Sequence, residues 1–221
     1  MLFNLLFLIA LQFSALFVWA QPEFKGGPKN LNSFIANNLI YPEYAKQNCL
    51  QGTIYISFKL NKQGRIFDSA VHKGFGIDLD EESLRVVRLT RGKWIIPTTH
   101  DTTSMIILPV NFSLKEFECE NRSKDDINGA ISAYKARQNL TNAVHNFYDK
   151  KAKGEYNQAE EEYILTLKKQ LGYDEKYIGR LLKQAHRKFK QGDAESACDD
   201  YQTIRKLGSD MADEWIAKNC K

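Results

Sequence analysis

Between Thr53 and Leu60 the side chains alternate without a break: Ile54, Ile56, Phe58 and Leu60 fall on one side, Thr53, Tyr55, Ser57 and Lys59 on the other. A period of two is that of a strand with one face buried and one facing water. It commits this part of the chain to a sheet that needs a covering layer on one side only. Asn61 to Gly64 supply turn residues, and a second extended run follows from Arg65 to Lys73, closed by Gly74 and Gly76. The two runs form a β-hairpin.

The period changes on either side of the hairpin. Leu31, Phe34, Ile35 and Leu39 have the spacing of one helical face. Tyr41 and Pro42 end that helix, because proline disfavours α conformation in the residue before it. A short turn follows through Tyr44 and Ala45. After the hairpin, Leu79 and Asp80 open a second helix. The Asp80 carboxylate is placed to cap free amides, with Glu81 and Glu82 at the positive end of the helix dipole and Leu84 and Val87 as the buried face. Trp94 and Pro97 lead into a third strand from about Met105 to Leu114, in which Ile106, Leu108, Val110, Phe112 and Leu114 alternate. A right-handed crossover carries this strand over the first one, leaving the first strand central. The expected class is α+β, a three-stranded antiparallel or mixed sheet with two helices.

Lysine and arginine exceed aspartate and glutamate by four, 31 against 27, with the signs mixed along the chain. That balance gives no case for nucleic acid. Residues Leu2 to Ala20 carry no charge and end in Val18, Trp19 and Ala20, small residues standing at the first and third positions before a cut at Gln21. Residues 1–20 therefore read as a signal peptide of an exported protein, with a retained membrane anchor as the alternative. Beyond them stand four cysteines, Cys49, Cys119, Cys198 and Cys220, without zinc-site spacing. In an oxidising compartment they pair. The crossover sets the start of the first strand beside the end of the third, which favours Cys49 with Cys119 and leaves Cys198 with Cys220.

From Asp125 to Lys221 the pattern is helical, punctuated by Gly154, Gly172, Gly192 and Gly208. Gly154, Tyr156, Ala159 and Tyr163 align with Gly192, Ala194, Ala197 and Tyr201, a repeat of 38 residues. It resembles the tetratricopeptide hairpin, although that family repeats at about 34 and carries a proline missing here. A last helix from about Asp210 to Asn219 should cover the end of the array, with Trp215 and Ile216 inward and the Cys198–Cys220 bridge as its staple. The expected divisions are 1–20, 24–118 and 125–221.

No catalytic, cofactor-binding or metal-binding set emerges. The four histidines, His72, His100, His145 and His186, are scattered, and no GxSxG, phosphate-loop or dinucleotide glycine pattern is present. Asp78, Asp80, Glu81 and Glu82 form the densest acid cluster, for which helix capping accounts better than acid–base chemistry.

The run YPEYAKQNCLQGTIYISFKLNKQGRIFDSAVHKG, then LDEESLRVVRLTRGKWIIP and LPVNFSL, resembles the C-terminal domain of TonB energy transducers. The resemblance rests on Tyr41, Pro42, Ala45, Gly52, Gly64, Trp94 and Pro97 taken in order. It implies a protein-binding module that docks an extended segment of an envelope protein, such as an outer-membrane receptor, along the edge of the third strand. In this chain that edge comprises Met105, Ile107, Pro109, Asn111 and Ser113. Pro109 fits an edge, where its missing amide costs no ladder bond. Transducers join an anchor to their domain through a long spacer. Here Gln21 to Asn30 reach at most about 36 Å. The expectation is thus a periplasmic adaptor without cofactor, the alternative being a transducer anchored in the inner membrane and facing the periplasm.

Overall fold

The computed structural model describes residues 21–115, 119 and 122–220. The expected signal segment, residues 1–20, lies outside them. The element order is β1 (Glu23–Phe24), α1 (Gly27–Asn38), α2 (Glu43–Gln47), β2 (Gly52–Leu60), β3 (Ile66–Lys73), α3 (Asp78–Arg88), β4 (Trp94–Ile95), β5 (Ile106–Phe112), then helices α4 (Lys124–Ala152), α5 (Gln158–Gln170), α6 (Glu175–Lys190), α7 (Ala194–Lys206) and α8 (Asp213–Asn219). The fold is α+β, with a helical region after the sheet.

The main sheet runs β3-β2-β5, so the strand with the strongest alternation is central, and both of its pairings are antiparallel. The mixed alternative is excluded because β3 and β5, though parallel in direction, are never neighbours. Ile54, Ile56, Phe58 and Leu60 are fully buried, joined by Val110 and Phe112 of β5 and by Leu79, Val86 and Val87 of α3. Leu84 is only partly buried, so α3 turns Val86 with Val87 to the sheet instead of the expected Leu84–Val87 face. Asp80 also departs from expectation. It lies inside α3, and its carboxylate accepts from Phe75 N (3.0 Å) and Gly76 N (2.7 Å), fastening the loop before the helix. A second sheet, β1 with β4, is only two residues per strand, too short to leave a period in the sequence.

The motif residues build the turns. Gly64 has φ +70°, and a Cβ there would lie 2.7 Å from the Trp94 carbonyl oxygen, so only glycine closes the hairpin against the chain leading into β4. Trp94 is buried against Phe24 and Phe58 and donates its indole N–H to Thr90 (3.0 Å). Tyr41 donates to Leu50 O (2.6 Å) and meets the Phe112 ring edge-on, while Pro42 is the residue from which α2 starts. Pro97 accepts from His100 N.

Helix α4 joins two cores. Its N-terminal part packs Ile127, Ala130, Ile131 and Tyr134 on the sheet core, and its later part contributes Val144 and Phe147 to a second core with Ile164 and Leu167 of α5 and Leu207. Side-chain caps start the tail helices: Ser123 with Asp126 for α4, Asn157 for α5, Asp174 for α6 and Asp193 for α7. A third core lies between α6, α7 and α8, where Ala197 and Tyr201 are fully buried and Trp215 stacks on Tyr201. Ile216 is buried, as the spacing of α8 requires. Both disulfides have the expected partners, Cys49–Cys119 and Cys198–Cys220, with Cα atoms 5.4 and 5.6 Å apart. The internal repeat keeps its helix–glycine–helix path but not its packing: Ala159 and Tyr163 are exposed, Tyr163 by 64%, where Ala197 and Tyr201 are covered. Helix α8 covers the second pair, and no described helix covers the first.

Candidate partner-binding edge

Strand β5 is bordered on one side by β2, and among the described residues no strand borders the other. It spans Ile106–Phe112, shorter than expected, so Met105 and Ser113 flank the strand and do not belong to it. Side chains alternate along it as predicted. Val110, Phe112 and the following Leu114 are buried and Ile106 and Leu108 half-buried, whereas Met105, Ile107, Pro109, Asn111 and Ser113 are exposed.

Main-chain direction alternates with the same period. Asn61 N–H donates to Arg65 O across the hairpin, so odd-numbered β2 residues turn their peptide groups to β3 and even-numbered ones to β5. The register Ile54↔Val110 and Ile56↔Leu108 then makes the even residues of β5 the ladder residues. Leu114 N–H, donating to Gln51 Oε1 beside β2, continues that parity. The peptide groups of Ile107, Pro109 and Asn111 consequently face the open edge. Pro109 sits opposite Tyr55 at a position where β2 asks for no hydrogen bond, which is why a proline is tolerated within the strand.

The outer face beside this edge is part apolar. Met105 is 57% and Ile107 47% exposed, and Phe67 of β3 is exposed on the same face, opposite Lys59. Thr53 donates its hydroxyl to Asn111 Oδ1 (3.1 Å), fixing the end of the strand. At the same end of β2, Gly52 has φ +149° and a Cβ would come 2.9 Å from the Phe75 ring. The central strand is paired on both sides while β5 is held on one.

Sequence reasoning missed the charged residues that join the sheet to the tail. Arg85 of α3, 6% exposed in its side chain, makes two bonds to Glu82 (both 2.7 Å) and reaches Asp193 (3.2 Å), Gln191 (2.9 Å) and the Asn38 carbonyl (2.8 Å). Glu82 also accepts from Ile40 N (2.6 Å). Gln191 and Arg187 of the tail donate to the carbonyls of Asn38 and Leu39 at the end of α1. No local pattern announces a partner more than a hundred positions away; the only signal is an arginine three residues after a glutamate on a helix that already shows a buried face.

Burial raises the carboxyl pKa of Asp78 to about 6, main-chain hydrogen bonds at Ala45 and Leu79 opposing the shift and Glu81 adding to it. Asp78 is thus not a fully solvated carboxylate. Among the described residues no three His, Cys, Asp or Glu side chains gather as a metal site requires. Nor is any described helix long and apolar enough to cross a membrane.

Residues 37–114 match the family model described as Gram-negative bacterial TonB protein C-terminal. This segment, which contains α2 to β5 and the end of α1, is similar to the TonB C-terminal domain, a family of protein-interaction domains. The helical tail lies outside the match. Neither a curated protein nor a solved structure matches the chain.

Proposed function

We propose that the chain is a periplasmic adaptor that binds an extended segment of another envelope protein as a fourth strand along β5. The supporting observation is the open edge itself: Ile107 and Asn111 each offer an N–H and a C=O, and Pro109 a C=O, to a strand running alongside. The exposed Met105 and Ile107 side chains supply apolar contact beside that ladder. Pro109, by withholding one donor, weakens indiscriminate pairing and leaves an address that only a partner tolerant of the gap fits well. The chain then consists of a signal segment at 1–20, a binding module over 24–118 and a helical unit over 125–221 that the Arg85 contacts hold against the module.

A photoreactive amino acid placed at Asn111, and as a control at Ser69 on β3, tests this in the native envelope. Adducts to outer-membrane proteins from position 111 and not from 69 are expected. Equal labelling from both positions, or none from 111, would refute strand addition.

A further inference from the structure

A cleft of about 720 Å³ opens where the TonB-type segment meets the tail. That is the size of small-molecule sites, which favour junctions between units. Its walls are Tyr44 and Asp78 from the segment, Tyr134 and Arg137 from α4, and Tyr173 and Tyr177 from the turn into α6. Two ring pairs, Tyr44–Tyr134 at 5.0 Å and Tyr173–Tyr177 at 4.9 Å, stand on either side of Arg137, whose guanidinium lies 5.9 Å from the Tyr44 ring and 5.0 Å from that of Tyr173. The rings are fixed from behind: Tyr44 donates to Ala130 O (2.7 Å) and Tyr173 shares a hydrogen bond with Thr141 (2.6 Å).

Among the described residues, two opposite charges in this cleft have no ion-pair partner. Arg137 donates to the Leu171 carbonyl, and among the described residues no carboxylate forms an ion pair with it. Asp78 has a buried Oδ1 with no hydrogen-bond partner, and the charge acting on it is that of Glu81, of the same sign. The neighbouring Arg180 and Glu43 neutralise each other at 3.2 Å. A further cleft atom, Nε2 of His145, is buried and without a partner. Burial lifts the Tyr177 hydroxyl to about 12; Arg137 opposes that shift and Asp78 adds to it, so both charges lie within electrostatic reach of one phenol.

An aromatic-walled cavity with an unpaired cation and an unpaired anion near a common ring is complementary to a ligand carrying both charges. We infer that the cleft binds a short peptide or amino acid in its zwitterionic form, the ammonium meeting Asp78, the carboxylate meeting Arg137, and the body lying on the tyrosine rings. Cation–π attraction to the same rings adds to the ammonium contact. Most of the walls come from residues outside 37–114, so the site is a property of this chain and does not depend on the strand-addition reading.

The test uses the full oxidised chain and three probes: trialanine, N-acetyl-trialanine and trialanine amide, titrated calorimetrically at about pH 7.5, where Asp78 is ionised. Trialanine is expected to bind in the millimolar range or tighter, with acetylation and amidation each weakening it about tenfold or more. Asp78→Asn should remove the penalty for acetylation alone, and Arg137→Lys should reduce the penalty for amidation alone. Absence of binding by trialanine at about 10 mM, or equal binding by the three probes, overturns the inference without recourse to any variant.

Discussion

Replacing Arg85 by alanine should release the tail from the sheet. The guanidinium is nearly inaccessible to water and serves five bonds, to Glu82 twice, Asp193, Gln191 and the Asn38 carbonyl. Truncation leaves the Glu82 carboxylate, equally buried, with the Ile40 amide as its remaining partner. Removing one member of a buried hydrogen-bonded pair costs about 3–5 kcal/mol, against at most about 1 kcal/mol for an exposed pair. Glu82→Ala together with Arg85→Ala should cost less than the sum of the two, by about 1 kcal/mol or more, because the second change removes a charge already stranded by the first. Urea unfolding followed at Trp94, in the sheet core, and at Trp215, against the third core, provides the assay. The parent chain should show one transition at both tryptophans, and Arg85→Ala should separate them, the Trp215 signal moving first. A cost below about 1 kcal/mol with coincident transitions would refute the view that this cluster clamps the two regions together.

Other consequences follow from single residues. Asp78 has its pKa raised in the fold, so its penalty is present above about pH 6 and disappears as the pH falls towards the unfolded value; stability should rise on acidification from pH 8 to 5, and Asp78→Asn should add about 1–2 kcal/mol at pH 8 and cancel that rise, as chemical denaturation at the two pH values will show. Opening the Cys198–Cys220 bridge by a double serine substitution should cost about 3 kcal/mol and speed exchange of the α8 amides, while β2 exchanges as before. Gly64→Ala, forced to φ +70° with its methyl against the Trp94 carbonyl, should lower the melting temperature by the equivalent of about 1–3 kcal/mol, measured by calorimetry.

What the sequence disclosed was what repeats locally or is steric. The alternation of Ile54 to Leu60 located the central strand, and from it the crossover predicted both the strand order and the pairing of Cys49 with Cys119 across 70 residues. The exposed set along the open side of β5 followed from the same period. Hidden instead were the contacts that depend on tertiary placement. Glu82 read as a charge at the positive end of the helix dipole and Arg85 was not singled out, because a charge pair three residues apart looks alike in water and in a core. Asp80 read as a helix cap, yet its oxygens bind the loop behind it. Tyr163 has the spacing of Tyr201, but only the latter meets a covering helix, and spacing cannot announce whether one arrives. The cleft was likewise invisible, since Asp78, Arg137 and Tyr177 come from three separate elements.

Amide hydrogen exchange of β5, read residue by residue with and without the outer-membrane protein captured from position 111, tests strand addition most directly. The amides of Leu108, Val110 and Phe112 are already committed to β2 and should change little, whereas those of Ile107 and Asn111 should become protected on binding. Protection confined to other elements, with Ile107 and Asn111 exchanging as in the free chain, would contradict it.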